Sequence, residues 1–550
     1  MTTPNSSPRV TMPRAFALRD APPASAPSPH ALARAELDAL VDAFDELGRE
    51  LVLDVARACV DAKTTLESLH SLSPARLQAS FPTPSTSCAS GFLGGTLPDD
   101  VRDEIFRYLS PRDAARAACA CREFRALVGG WRRNARRLDL PRMDAVRRGT
   151  GEVGGRRVVL SVGAMIRAYP NVETVSFKRL GETLRREAES DDEAVVSLSS
   201  CLTAIAANNA SRSIAEIDFS GCGEWMPSYA VVDVAERCRD LFPSLSSLAL
   251  ARAKTLGGDA LASALRICGP SLRELRLIGC VKLDEDAVMR ALELAPGLRS
   301  LDLTGCLALK RLALEARDVP RLEKLKAVNC AAMESCVVRR ANREGALKSL
   351  NVADCVALRS FQVQSETLET LNVAGCRSLE TFNAHAPRCE TLLLNKCASL
   401  RHVTEEMHAV AMKMPSVRTL TLDSCKSLTT NGFARLLDMC GSLVALSAEG
   451  CLSVDRAVIA SPSLLRCCVS GCPNLEVVRV SSTKCRVFVA RACKSLAEVR
   501  FERCAYELDV FDVGNSSSLR RVVGVRRPRV RLIDVNGCFG GLEFLERAIG

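Results

Sequence analysis

An α/β solenoid of stacked parallel turns is the expected fold, and three observations carry it. The pattern L-x-x-L-x-L-x-x-C stands at Leu368-Leu371-Val373-Cys376 and returns 21 residues later at Cys389-Leu392-Leu394-Cys397. A strand-like alternation, closed by a cysteine and repeated at fixed period, marks units that bury their apolar faces on one another. The chain has 550 residues, more than one compact core usually absorbs. Its composition is 47% hydrophobic but only 4% aromatic. Such a core of Leu, Val, Ala and Cys suits thin layers.

The 26 cysteines would suggest a disulfide scaffold in a short secreted chain. Here thirteen of them are read at one repeat position: 222, 280, 306, 330, 355, 376, 397, 425, 451, 472, 493, 504 and 538. A residue set by repeat register is a packing residue, because a free thiol behaves as a small buried hydrophobe. No secretory leader and no apolar run of membrane-spanning length is read, so no membrane partner is expected. A reducing compartment, cytoplasm or nucleus or both, follows. The formal charge of +10 permits weak attraction to acidic partners without naming one.

Residues 1–30 are rich in Pro, Ser, Thr and Ala and read as a disordered N-terminus. Over 31–72 the apolar residues Leu37, Leu40, Phe44, Leu47, Leu51, Val55 and Ala58 recur at three- and four-residue steps. They predict an amphipathic helical segment, packed on a neighbour or, on a second reading, used for self-association. Residues 73–95, with Pro74, Pro82, Pro84, Gly91, Gly94 and Gly95, read as a flexible linker.

From Thr96 three short helices are expected within about 35 residues. Thr96 caps the first, with Pro98, Asp99 and Asp100 in its opening turn and Val101, Ile105, Phe106 and Leu109 as its apolar stripe. Ser110, Pro111 and Asp113 open the second, and Phe124, Leu127 and Val128 lie in the third. Such a unit buries too little to be stable alone. The stretch resembles an F-box, on Leu97-Pro98, Ile105-Phe106, Tyr108-Leu109, Asp113, Cys121-Arg122, Phe124, Leu127 and Trp131. The resemblance implies an F-box over 96–140 that binds the Skp-type adaptor of a cullin–RING ubiquitin ligase. It implies contacts through Leu97, Pro98, Val101, Ile105, Phe106 and Leu109.

Nine arginines between Arg132 and Arg157 lack interleaved aromatics, so they read as a solvated connecting face, and no nucleic-acid partner is expected. Residues 141–210 are read as irregular first repeats with an exposed acidic loop, Glu187 to Glu193, and 211–550 as a leucine-rich-repeat solenoid, a horseshoe. The cysteine at the ninth position resembles the subtype found behind F-boxes. Turns differ in period. The 26-residue step from Cys280 to Cys306 has room for a return helix, opened by acids and closed by Pro-Gly, and Thr429 to Gly441 repeats that design. The 21-residue turns carry a second alternation instead, as at Leu358-Phe361-Val363 and Leu379-Phe382-Ala384. A helix is wider than a strand, so curvature is expected over 245–350 and 400–450, with flatter stacking near 355–397 and 451–504.

In each turn the third, fifth and seventh positions face the concave side. Candidate substrate contacts there are Glu274, Arg276, Asp302, Lys324, Lys326, Asn351, Asn372 and Leu393. Part of the Asn and Thr ladder is open to a second reading as plain β-surface packing. No phosphate-binding glycine loop, nucleophile elbow or ligase cysteine pattern is present; His402 to His408 holds metal-capable groups with Glu405 and Glu406, but the His pair at i, i+6 falls on different faces of a helix. No catalytic residue, metal or cofactor is therefore expected. The F-box resemblance implies a non-catalytic substrate receptor of an SCF-type ligase. A repeat scaffold without ligase recruitment and a small-molecule sensor on the same architecture are the alternatives.

Overall fold

The computed structural model describes residues 135–140 and 154–545, apart from 210–212, 316–320, 340–346, 404–405, 408–409, 412, 506–507, 526–529 and 539. All belong to the second of the two units into which the chain divides, Gly129–Gly550. The readings of 1–30, 31–72 and 73–95, and of the F-box helices, lie outside the described residues.

Sixteen short strands form one parallel sheet, from Arg137–Asp139 to Leu532–Asp534. Each pairs in register with the next, so Leu325, Leu350, Leu371, Leu392 and Leu420 stack as equivalent residues. Alternation does the rest: the middle residue of each three-residue strand points inward and is at most 3% exposed at these positions. The first strand falls inside the segment assigned by sequence to the F-box, 96–140, so the sheet begins earlier than expected.

On the opposite face the first turns return through helices: α1 Gly154–Ala168, α2 Leu180–Glu187, α3 Asp191–Asn208, α4 Ser228–Leu241, α5 Gly258–Cys268 and α6 Glu285–Leu294. The acidic stretch expected as a loop, Glu187 to Glu193, instead ends α2 and starts α3, with only residues 188–190 between the helices. Ser190 caps α3 by accepting from the Glu193 N–H at 3.2 Å, and Asp191, Asp192 and Glu193 occupy its first turn, where the helix dipole favours acids. Asp284 caps α6 in the same way, accepting from Ala287 N–H at 2.9 Å. A later helix, α7 Thr430–Met439, is capped by Thr429.

The other turns return through strands. One five-stranded parallel sheet runs from Arg311–Glu315 to His402–Val403, and a second from Arg456–Ile459 to Glu543–Leu545. Extended return paths thus begin at Arg311, not near 355, and continue past 504. Among the described residues, the longer steps through Cys330 and Cys355 return through strands. Arg311–Glu315 and Ser335–Arg339 are strands, and Leu312, Leu314, Cys336 and Val338 are their buried alternate residues. With strands on both faces, both advance by the same 4.7–4.9 Å per turn.

The cysteine register has a cause beyond packing. Cys280, Cys306, Cys330, Cys355, Cys376, Cys397, Cys425, Cys451, Cys472, Cys493 and Cys538 each donate their thiol to a carbonyl of the preceding turn, at 3.0–3.3 Å. Burial pushes the Cys376 thiol up to about 12 and that of Cys280 up to about 11, which keeps the proton the bond needs. Cys504 is not in this register. It falls on the outer strand Glu498–Ala505, and Ser516 takes the inner position of that turn, its hydroxyl donating to Ala490 O at 2.8 Å. The residue before the cysteine has positive φ throughout: Gly279, Gly305, Asn329, Asp354, Gly375, Lys396 and their equivalents. Turning the chain there needs the left-handed conformation, which is why Gly-Cys recurs in the sequence.

Candidate functional site: the inner face of the solenoid

The third, fifth and seventh residues of each turn line the long sheet's open side. Along it, the expected site residues fall into three groups with different fates.

At the N-terminal end the sheet assembles a charge network. Arg276 donates to Glu274 Oε1 at 2.8 Å and to Glu216 Oε1 at 2.9 Å, and Thr174 donates to the other Glu216 oxygen at 3.2 Å. Glu216 lies two strands away. Arg276 reaches it because Ser247 and Ala249 on the strand between are small and sunk into the surface. Partial burial pulls the Arg276 guanidinium down, but the bond to Glu274 and the charges of Glu216 and Glu274 outweigh it, and the net shift is upward. Arg276 and Glu274 are thus brought together but committed to each other. Glu216 was absent from the sequence-derived set; its signal was the same repeat position two turns earlier.

The second group shapes the sheet's edge. Asp302 Oδ1 accepts from Thr304 N–H at 3.0 Å, Asn351 Oδ1 from Ala353 N–H at 3.1 Å and Asn372 Oδ1 from Ala374 N–H at 3.0 Å. Asp218, Asp512 and Asp534 make the same bond two residues on. Each closes an Asx turn that satisfies a backbone donor where the strand ends. Polar ladders at this position are therefore part of the turn.

The third group is free to meet a partner. Lys324 and Lys326 are exposed, in register with Ser300 and Asp302 on one side and Ser349 and Asn351 on the other. Neither has an ion pair among the described residues. Leu393 is half-exposed between Asn372 and Thr421. At the C-terminal end, Arg491 bonds Asp512 at 2.9 Å and lies 3.5 Å from Asp534, a cluster the sequence did not single out. Cys468, the half-exposed thiol of this face, is raised to about 11, first by burial and then by Glu449. His402 sits on an outer strand, while Glu405 and His408 lie outside the described residues. Leu97, Pro98, Val101, Ile105, Phe106 and Leu109 lie outside them as well.

Residues 95–137 match the F-box-like family, and the match ends where the first strand of the sheet begins. The chain thus carries an F-box-like segment ahead of a leucine-rich-repeat strand ladder. No curated protein sequence matches the chain. Among solved structures it is similar to that of the Rad7–Elc1 complex in yeast, at 12% identity and a TM-score of 0.28, over 92% of this chain and 98% of that one. A leucine-rich repeat protein from Bacteroides thetaiotaomicron is similar at 11% identity and 0.31, over 69% of this chain and 52% of its own. The Toll–Spatzle complex of Drosophila follows at 11% and 0.22, over 71% and 46%. With scores this low, the repeat assignment rests on the chain's own strand ladder.

Proposed function

We propose that this F-box/leucine-rich-repeat protein is the substrate-recognition subunit of an SCF-type cullin–RING E3 ubiquitin ligase. Its F-box would bind a Skp-type adaptor, and through it a cullin, while the solenoid holds a protein substrate for ubiquitination and proteasomal degradation in the cytoplasm or nucleus. The observation that carries this is the F-box-like match at 95–137, set directly before a sixteen-stranded repeat sheet. A repeat stack offers a long, pre-formed surface to a protein partner, and an F-box-like segment implies an adaptor-type partner.

The chain itself does no bond chemistry in this reading. Thioester-forming ligases need an accessible thiolate. Among the described residues, Cys376, Cys425 and Cys493 are buried and pushed up to about 12, and the half-exposed Cys468 to about 11. A small-molecule sensor would need Arg276, Lys324 and Lys326 free to converge on one ligand. Arg276 is occupied by Glu216 and Glu274, which counts against that alternative.

Affinity capture from cells with the proteasome blocked tests the proposal, comparing the full chain with a variant lacking 95–137. The expected result is adaptor and cullin with the full chain alone, and solenoid-bound proteins that carry ubiquitin chains only when 95–137 is present. The same bound proteins, unmodified and without adaptor in both samples, would support a scaffold instead.

A further inference from the structure

The inner strands from Ser247–Ala249 to Ala445–Ser447 carry three cations at their outward positions: Arg276, Lys324 and Lys326. Arg276 is neutralised by two glutamates, whereas Lys324 and Lys326 are exposed and reach no carboxylate among the described residues. The nearest acid in register, Asp302, is bonded to Thr304. Two lysines two residues apart on a strand stand about 7 Å apart, the spacing of alternate side chains in an extended chain.

An apolar rim adjoins them. Leu307 and Val356 are 47% and 41% exposed, unusual for large apolar residues in this molecule. Each directly follows a ladder cysteine, as does Ala331 on the turn between them. Strand spacing puts Leu307 and Val356 about 9–10 Å apart, so the small Ala331 leaves a notch between two apolar shoulders. Val328, half-buried two residues beyond the Lys324–Lys326 strand, lies in the chain between the lysines and Ala331.

We propose that this rim is a docking surface for an extended acidic protein segment, with two carboxylates on Lys324 and Lys326 and an aliphatic side chain in the notch. The proposal rests on the substrate-receptor reading and gives the substrate's chemical class. Charge complementarity decides between occupants. At the outward positions of these inner strands the unpartnered charge is positive, beside the exposed apolar side chains of Leu307 and Val356.

The test is fluorescence anisotropy of the full chain with labelled dodecapeptides carrying Glu-x-Glu followed by Leu. Comparison peptides carry Gln for both Glu, or Ser for Leu. The expected result is preference for the Glu/Leu peptide, at least about tenfold weaker binding by Lys324→Glu/Lys326→Glu, and loss of salt dependence in that variant. Ala331→Trp, which fills the notch, should weaken the Leu peptide but not the Ser peptide. Arg466→Glu, an exposed inner-face cation far along the sheet, should change nothing. Equal binding of Glu and Gln peptides, or equal loss in Arg466→Glu, would overturn the proposal. So would equal affinity for an oligothymidylate, which would make the lysines a general polyanion surface, or a self-associated form abolished by the double variant, which would place a second copy there. Adaptor capture is scored on the same preparations. Its absence in the wild type would count against the ligase reading and leave the peptide result standing.

Discussion

Replacing Cys397 by alanine and by serine separates two explanations of the cysteine ladder. Cys397 is fully buried, and its thiol donates to Val373 O at 3.3 Å. No other hydrogen bond reaches that carbonyl among the described residues. Alanine removes about one methylene-equivalent of buried volume, roughly 1 kcal/mol. It also leaves a buried carbonyl unpaired, which costs about 1–3 kcal/mol more. The expected loss is about 2–4 kcal/mol. Serine gives up apolar surface but keeps the donor, as Ser516 does at 2.8 Å from Ala490 O, so its loss should stay near 1 kcal/mol. Urea titration followed by circular dichroism measures the difference, and hydrogen exchange at residues 371–397 checks that the loss is local, since solenoids need not unfold in one step. If alanine is tolerated as well as serine or better, the thiols are only apolar filler and the hydrogen-bond account is wrong.

Alkali should unfold the solenoid. Burial holds Cys280 near 11 and Cys376, Cys425 and Cys493 near 12, against an ordinary 9.0, so the unfolded chain loses these protons first. Their contribution is intact below about pH 9 and is lost as pH rises toward 12, at about 1.4 kcal/mol per pH unit for each thiol. Denaturation midpoints that stay flat from pH 8 to about 11 would contradict this. Gly375→Ala should cost about 1–2 kcal/mol, because φ there is +77° and the new methyl would meet the Asp354 carboxylate. Lys396→Gly, at the equivalent position, should cost nothing measurable by the same titration. Arg276→Met should destabilise by about 1 kcal/mol, the pair being partly exposed, and the gap from wild type should narrow in about 0.5 M salt; an unchanged gap would mean the loss is packing, not charge.

Much of the stack was legible because its period is local. Leu371, Val373 and Cys376 repeat at Leu392, Leu394 and Cys397, and in-register pairing turns that period directly into a sheet. Helices α6 and α7 were legible from Asp284 and Thr429, whose side chains cap the backbone just after them. Outer strands at Arg311–Glu315 and Ser335–Arg339 are hidden by repeats of intermediate length, and only the alternation of Leu312, Leu314, Cys336 and Val338 marks them. Ser516 escapes a cysteine-based register because the slot asks for a small donor, which a serine supplies as well as a cysteine. The inner face was the hardest part to read. Which cation is free depends on pairs formed across strands 60 residues apart in sequence, as between Arg276 and Glu216, and no local pattern records them.

The claim on which the functional account turns is that residues 95–137 recruit a ligase adaptor. Mixing the purified full chain with a Skp-type adaptor and a cullin N-terminal domain, and measuring the mass of the product by light scattering, tests it most directly. The account predicts a stoichiometric ternary complex for the wild type and none for Leu97→Ala/Ile105→Ala, with solenoid stability unchanged. No complex with the wild type, or equal assembly by the double variant, would contradict it.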